Sequence, residues 1–112
     1  MMIEIISTPE FDKEYKRLKK KYRSLPDDLA NLQQELIKNP NLGIDLGHNF
    51  RKVRMAIKTK NKGKSGGARV ITYSLFVSII DEVIVLVTIY DKGDEQSITD
   101  ARIMQIIKNF GF

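Results

Sequence analysis

The sequence predicts a single α+β domain in which elements follow the order β-α-α-β-β-β-α around a small, largely antiparallel sheet. Three observations carry this expectation. Apolar residues recur at helical spacing through the first third of the chain, the period changes to two from Phe50 onward, and the run from Glu82 to Tyr90, EVIVLVTIY, is continuously apolar. A length of 112 residues suits one core and leaves no room for a second.

Residues 2–6, MIEII, read as a short strand. Ser7 and Thr8 offer caps, Pro9 suits a first helical position, and Glu10 is placed to close a capping box on Ser7. The helix that starts there has Phe11, Tyr15, Leu18, Tyr22 and Leu25 on one side, with Lys13, Lys16, Arg17, Lys19, Lys20 and Arg23 on the wet side. Pro26 ends it or begins the next. Leu29, Leu32, Leu36 and Ile37 form the apolar stripe of a second helix, which Asn39-Pro40 stops, so the two are expected to pack as a hairpin. The following NPNLGIDLGHN has the residues of a loop.

In the next strand Val53, Met55 and Ile57 face the core, and Lys52, Arg54, Ala56 and Lys58 face outward. Residues 68–76, ARVITYSLF, make another strand. Asp81-Glu82 marks a turn into the apolar run, which is expected to be the central strand. Ser97, with Asp100 three residues on, opens a last helix whose Ile103, Ile106, Ile107 and Phe110 lie on one side and which Gly111 closes.

Charge is unevenly placed. Lys and Arg number 19 against 14 Asp and Glu, a formal net charge of +5. Between Arg51 and Arg69 stand eight basic residues (Arg51, Lys52, Arg54, Lys58, Lys60, Lys62, Lys64, Arg69) and no acid, which leaves 11 basic against 14 acidic residues elsewhere. The whole surplus sits in one segment, and a polyanion is its natural partner. Gly63, Gly66 and Gly67 make that segment, KNKGKSGGARVITY, read as a flexible basic loop feeding a strand. The absence of cysteine removes thiolate nucleophiles and zinc-thiolate sites and fits a reducing compartment. No apolar run is long enough to span a membrane, and an acidic residue follows closely on the amino terminus, so the chain is expected to be soluble and cytoplasmic.

The basic FRKVRMAI strand, the KGKSGGARVITY hairpin and the LVTIYDKGDEQSIT junction resemble the RelE/ParE toxin superfamily, most closely its HigB-type branch, over nearly the whole chain. The resemblance implies the toxin of a type II toxin-antitoxin system: an endoribonuclease that cuts translated mRNA in the ribosomal A site, without metal or cofactor, and so inhibits translation. It implies as partners the ribosome, mRNA and a cognate antitoxin, often with a helix-turn-helix, in a hetero-oligomer. Matched residue by residue, Lys52 and Arg54 face the scissile phosphate, Arg69 grips it, and Tyr90 and Lys92 complete the catalytic set. Arg51, Lys58, Lys60, Lys62, Lys64 and His48 are the candidate RNA-binding residues. The sequence departs from the family at Gly93, where several RelE-type enzymes have arginine, and in a last helix without tyrosine.

The implied chemistry asks for one group to take the proton of the RNA 2′-hydroxyl, another to protonate the leaving oxygen, and cations to stabilise the phosphorane. Lysine serves as a base only when its pKa of about 10.4 is lowered, and the crowding of Lys52, Arg54, Lys58, Lys62, Lys64 and Arg69 is an arrangement that lowers it. Plainer roles stand beside these. Lys60, Lys62 and Lys64 suit a solvated loop tip, Gly66 and Gly67 a hairpin with positive φ, His48 a loop, Tyr90 packing on the last helix, and RLKKKYR an ordinary polar helix face or a second RNA-docking surface. Two other functions share the fold: a ParE-like gyrase inhibitor and a nucleic-acid-binding member without catalysis.

Overall fold

The structure is a computed structural model that describes residues 2–94 and 97–111. It contains β1 (Met2–Ser7), α1 (Pro9–Lys21), α2 (Leu25–Lys38), β2 (Ile44–Gly47), β3 (Phe50–Met55), a single 3₁₀ turn (Lys58–Lys60), β4 (Ala68–Phe76), β5 (Asp81–Asp91) and α3 (Asp100–Phe110). The five strands form one mixed sheet in the order β1-β5-β4-β3-β2, with β1 parallel to β5 and every other pair antiparallel. The α+β class therefore stands. No described helix is long and apolar enough to cross a membrane.

Each face of the sheet has its own core. On one, Phe11, Leu18, Leu25, Leu32 and Leu36 of α1 and α2 pack against Val53, Met55, Val70 and Ile84. On the other, Ile103, Ile106 and Ile107 of α3 pack against Phe50, Ile71, Val85 and Val87. A register shift between Ile71 and Thr72 lets Leu86 and Ile89 serve the same face despite their odd separation. β5 is buried on both faces as its apolar run requires, although the middle of the sheet belongs to β4.

Several local expectations change. The loop after α2 contains a fourth antiparallel-sheet strand, β2, which pairs Ile44 with Lys52 and Asp45 with Arg51. Its pattern is too short and too broken by glycine to show a period. Thr8 alone caps α1: its Oγ1 accepts from Phe11 N at 3.0 Å and donates to the Val87 carbonyl at 2.7 Å, fastening the helix to β5. Glu10 instead pairs with Arg102 at 2.9 Å, so no capping box forms. Thr99, not Ser97, caps α3, and Gly111 closes it at φ 108°. The β4–β5 turn is formed by residues 77–80, with Asp81 and Glu82 already in β5. Ile37 is exposed because Leu36 takes the inward position of the last turn of α2.

Candidate nucleic-acid interface

β3, β4 and β5 carry four of the five predicted catalytic residues, Lys92 lying just beyond β5. Arg54 stands opposite Arg69, which stands opposite Tyr90; one row along, Lys52 is opposite Ile71. Strand alternation puts Lys52 and Arg54 on the face of Phe50, Arg69 on the face of Ile71, and Tyr90 opposite Ile89, so all four point to the side on which α3 lies. Arg54 is exposed and Lys52 half-buried. Beside them lies a groove of about 270 Å³ lined by Leu42, Gly43, Ile44, Lys52, Val53, Arg54 and Lys64. Gly43, at φ 94°, is required there: a Cβ at this position would sit 2.5 Å from the Lys52 carbonyl oxygen.

The basic segment is fastened at many points, which corrects its reading as a flexible loop. Arg69 is only 7% exposed. Its Nη1 donates to the carbonyls of Lys64 (3.1 Å) and Ala68 (3.2 Å), and its Nη2 to that of Ser65 (3.0 Å), so three of five donors are bonded to backbone and two of these brace the loop. Lys64 pairs with Glu35 of α2 at 3.0 Å and Lys60 with Asp91 at 2.7 Å. Asp28 at the start of α2 accepts from Lys58 N, and Ser24 from Thr59 N. Gly67 accepts from Lys92 N, and a Cβ on Gly67 would lie 2.1 Å from the Met55 carbonyl oxygen. Neither Gly66 nor Gly67 has positive φ, so close approach of two backbones, not a left-handed turn, demands glycine at 67.

These ties divide the candidates. Lys52, Arg54, Lys58 and Lys62 form no ion pair among the described residues. Arg51 turns inward, donating to the carbonyls of Asn41 (2.9 Å) and Gly43 (3.2 Å), with Asp45 at 3.9 Å. His48 and Asn49, at φ 53° and 69°, form the two-residue turn between β2 and β3, at the far end of β3 from Arg54. Tyr90 is 4% exposed, a packed residue with no face open for a base. Lys92 follows β5 half-buried. Glu95 and Gln96, within the LVTIYDKGDEQSIT junction, lie outside the described residues.

A charged cluster that the sequence did not announce closes the end of β5. Asp91 is 2% exposed and accepts from Lys60 Nζ, from the Tyr22 hydroxyl at 2.5 Å and from Gly93 N at 2.9 Å. Lys60 Nζ also lies 5.6 Å from the centroid of the Tyr22 ring. Burial pushes the Asp91 carboxyl up, but hydrogen bonds from Lys60, Tyr22 and Gly93 outweigh it and hold the group at about 2. The hydrogen bond to Asp91 raises the Tyr22 pKa in turn. Tyr22, Lys60 and Asp91 come from three distant stretches, so no spacing rule joins them. No family model matches the chain, and no curated protein matches it.

Proposed function

We propose that this chain is a ribosome-dependent mRNA endoribonuclease of the RelE/HigB kind, the toxin of a toxin-antitoxin pair, acting in the cytoplasm. The observation that carries the reading is the placement of Lys52 and Arg54, which form no ion pair among the described residues, on β3 beside a groove that Lys64 also lines. Arg54 and Arg69 stand directly opposite each other, a like-charge placement that a sheet disfavours and that an RNA phosphate relieves.

In this reading Lys52 and Arg54 flank the scissile phosphate, Lys52 exchanging protons with the 2′-hydroxyl or the leaving oxygen and Arg54 neutralising the phosphorane. Lys58 and Lys62 hold flanking phosphates. Arg69, bonded to the carbonyls of Lys64 and Ser65, sets the height of the loop against the strand. A cognate antitoxin silences the enzyme by covering the groove.

A second reading, a binder without catalysis, is favoured by the burial of Tyr90 and by the backbone bonds that occupy Arg69. A cell-free translation reaction separates the classes. Arrest of translation with the message cut supports the enzyme, whereas arrest with the message intact supports the binder. DNA breaks in the presence of gyrase, with translation unaffected, overturn both in favour of a ParE-like inhibitor.

A further inference from the structure

The two edges of the sheet are finished differently. β2 has four residues, breaks register between Asp45 and Gly47 and exposes Asp45, features that blunt an edge against further pairing. β1 runs six residues in unbroken register with β5, without proline and with Glu4 as its one charge. Met2 N donates to the Ile80 carbonyl at 3.2 Å and Thr8 N to that of Leu86 at 3.1 Å. Even-numbered residues of β1 therefore bond to β5, and the amides and carbonyls of Ile3, Ile5 and Ser7 point out from the edge.

Complementary shapes stand at the two ends of this edge. At the Met2 end the β4–β5 turn presents Val77, Ile79 and Ile80 at 62%, 101% and 62% exposure, with Phe76 and Met2 exposed beside them. Apolar side chains of this number amount to a patch of several hundred Å², a size that marks an interaction site. At the Ser7 end lies a groove of about 420 Å³ between the start of α1 and the last turns of α3, with Pro9, Ile106 and Phe110 among its walls.

We propose that β1 joins two copies of this chain, antiparallel about a two-fold axis at Ile5, with the Ile79–Ile80 turn of each copy set against the Pro9–Phe110 groove of the other. Pairing of the outward groups puts Ile5 opposite Ile5, Ile3 opposite Ser7 and Met2 opposite Thr8. That register brings each exposed turn to the groove end of the second β1, so one contact repeats twice and closes. Glu4 falls opposite Ile6 rather than its own copy, which keeps like charges apart. The joint continues the sheet to ten strands. β3 lies three strand spacings from β1, about 14 Å, so both cationic grooves stay open on the outer flanks. This inference does not depend on the proposed ribonuclease activity.

Sedimentation and light scattering of the purified chain from about 1 to 100 µM, paired with thermal melts, test it. Wild type is expected at twice its 12.9 kDa monomer mass, with a melting midpoint that rises with concentration. Replacing Ile79 and Ile80 together by lysine raises the dissociation constant at least about tenfold. Ile3→Pro does the same, because it deletes an outward N–H without touching the bonds to β5. The turn variant alters only exposed side chains and decides the matter if Ile3→Pro does not fold. A monomeric wild type at every concentration, or a dimer indifferent to the turn variant, overturns the proposal.

Discussion

Lys60 and Asp91 are 31 positions apart in sequence and 2.7 Å apart in space, with side chains 11% and 2% exposed. A cation that looks like one more solvated charge of a basic loop is an internal tie to the end of β5. The acid it needs comes from outside the acid-free segment, as Glu35 does for Lys64 and Asp45 for Arg51.

Asp91→Asn keeps the shape of the side chain and removes its charge, leaving Lys60 close to buried beside a neutral amide. Removing one partner of a buried pair costs about 3 kcal/mol, and urea denaturation is expected to show a loss of that order. A variant as stable as wild type would mean that solvent screens the pair.

Asp91 also sets an acid limit. Its folded pKa, about 2, lies below the ordinary aspartate value of 3.8. Its contribution to stability is therefore complete above the higher value and is lost as pH falls toward the lower one. Tyr22→Phe deletes one of the hydrogen bonds that depress it, so circular dichroism between pH 5 and pH 1.5 is expected to place the acid transition of the variant at higher pH. Superimposable acid limbs would count against the cluster.

The two glycine positions of the loop should behave differently. Gly67→Ala drives a Cβ into the Met55 carbonyl, whereas a Cβ at Gly63 meets nothing within 4 Å, although its φ is 64°. Gly63→Ala is expected to cost about 1 kcal/mol of left-handed strain, and Gly67→Ala clearly more because two backbones must separate. Paired thermal melts check the order, and equal losses would contradict the close approach of residues 67 and 55.

Much of the fold was legible because it rests on local pattern. The alternation in β3 and the apolar run of β5 each follow from which residues sit two or one apart, and Pro9, Asn39-Pro40 and Gly111 fix helix ends by backbone chemistry. The strand at 68–76 appeared with its bounds intact. β2 did not, because its pairing depends on β3 and not on its own four residues. At the site, placing Lys52 and Arg54 outward needed only alternation. The burial of Tyr90, the inward turn of Arg51 and the Tyr22–Lys60–Asp91 cluster depend on contacts between distant segments, which no single stretch encodes.

Binding to single-stranded RNA is expected to sort the cations. For Lys52→Ala with Arg54→Ala, the slope of log affinity against log salt should flatten by about 1.4, the value for two lost phosphate contacts on single strands. Lys108→Ala, on the exposed side of α3, should leave it unchanged. Filter binding across a salt series reads both, and equal slopes in all three proteins would move the interface away from β3.

The most direct test is primer extension on a defined message in a reconstituted translation reaction, with the chemistry of the new 3′ end determined. Wild type is expected to cut only messages being translated and to leave a 2′,3′-cyclic phosphate, the mark of attack by the neighbouring 2′-hydroxyl. The folded Lys52→Ala/Arg54→Ala variant should lose at least about a hundredfold in rate, the scale of a general acid-base contribution. An intact message with folded wild-type protein, or cutting that the double variant leaves undiminished, would contradict the assignment of the cationic groove as a ribonuclease site.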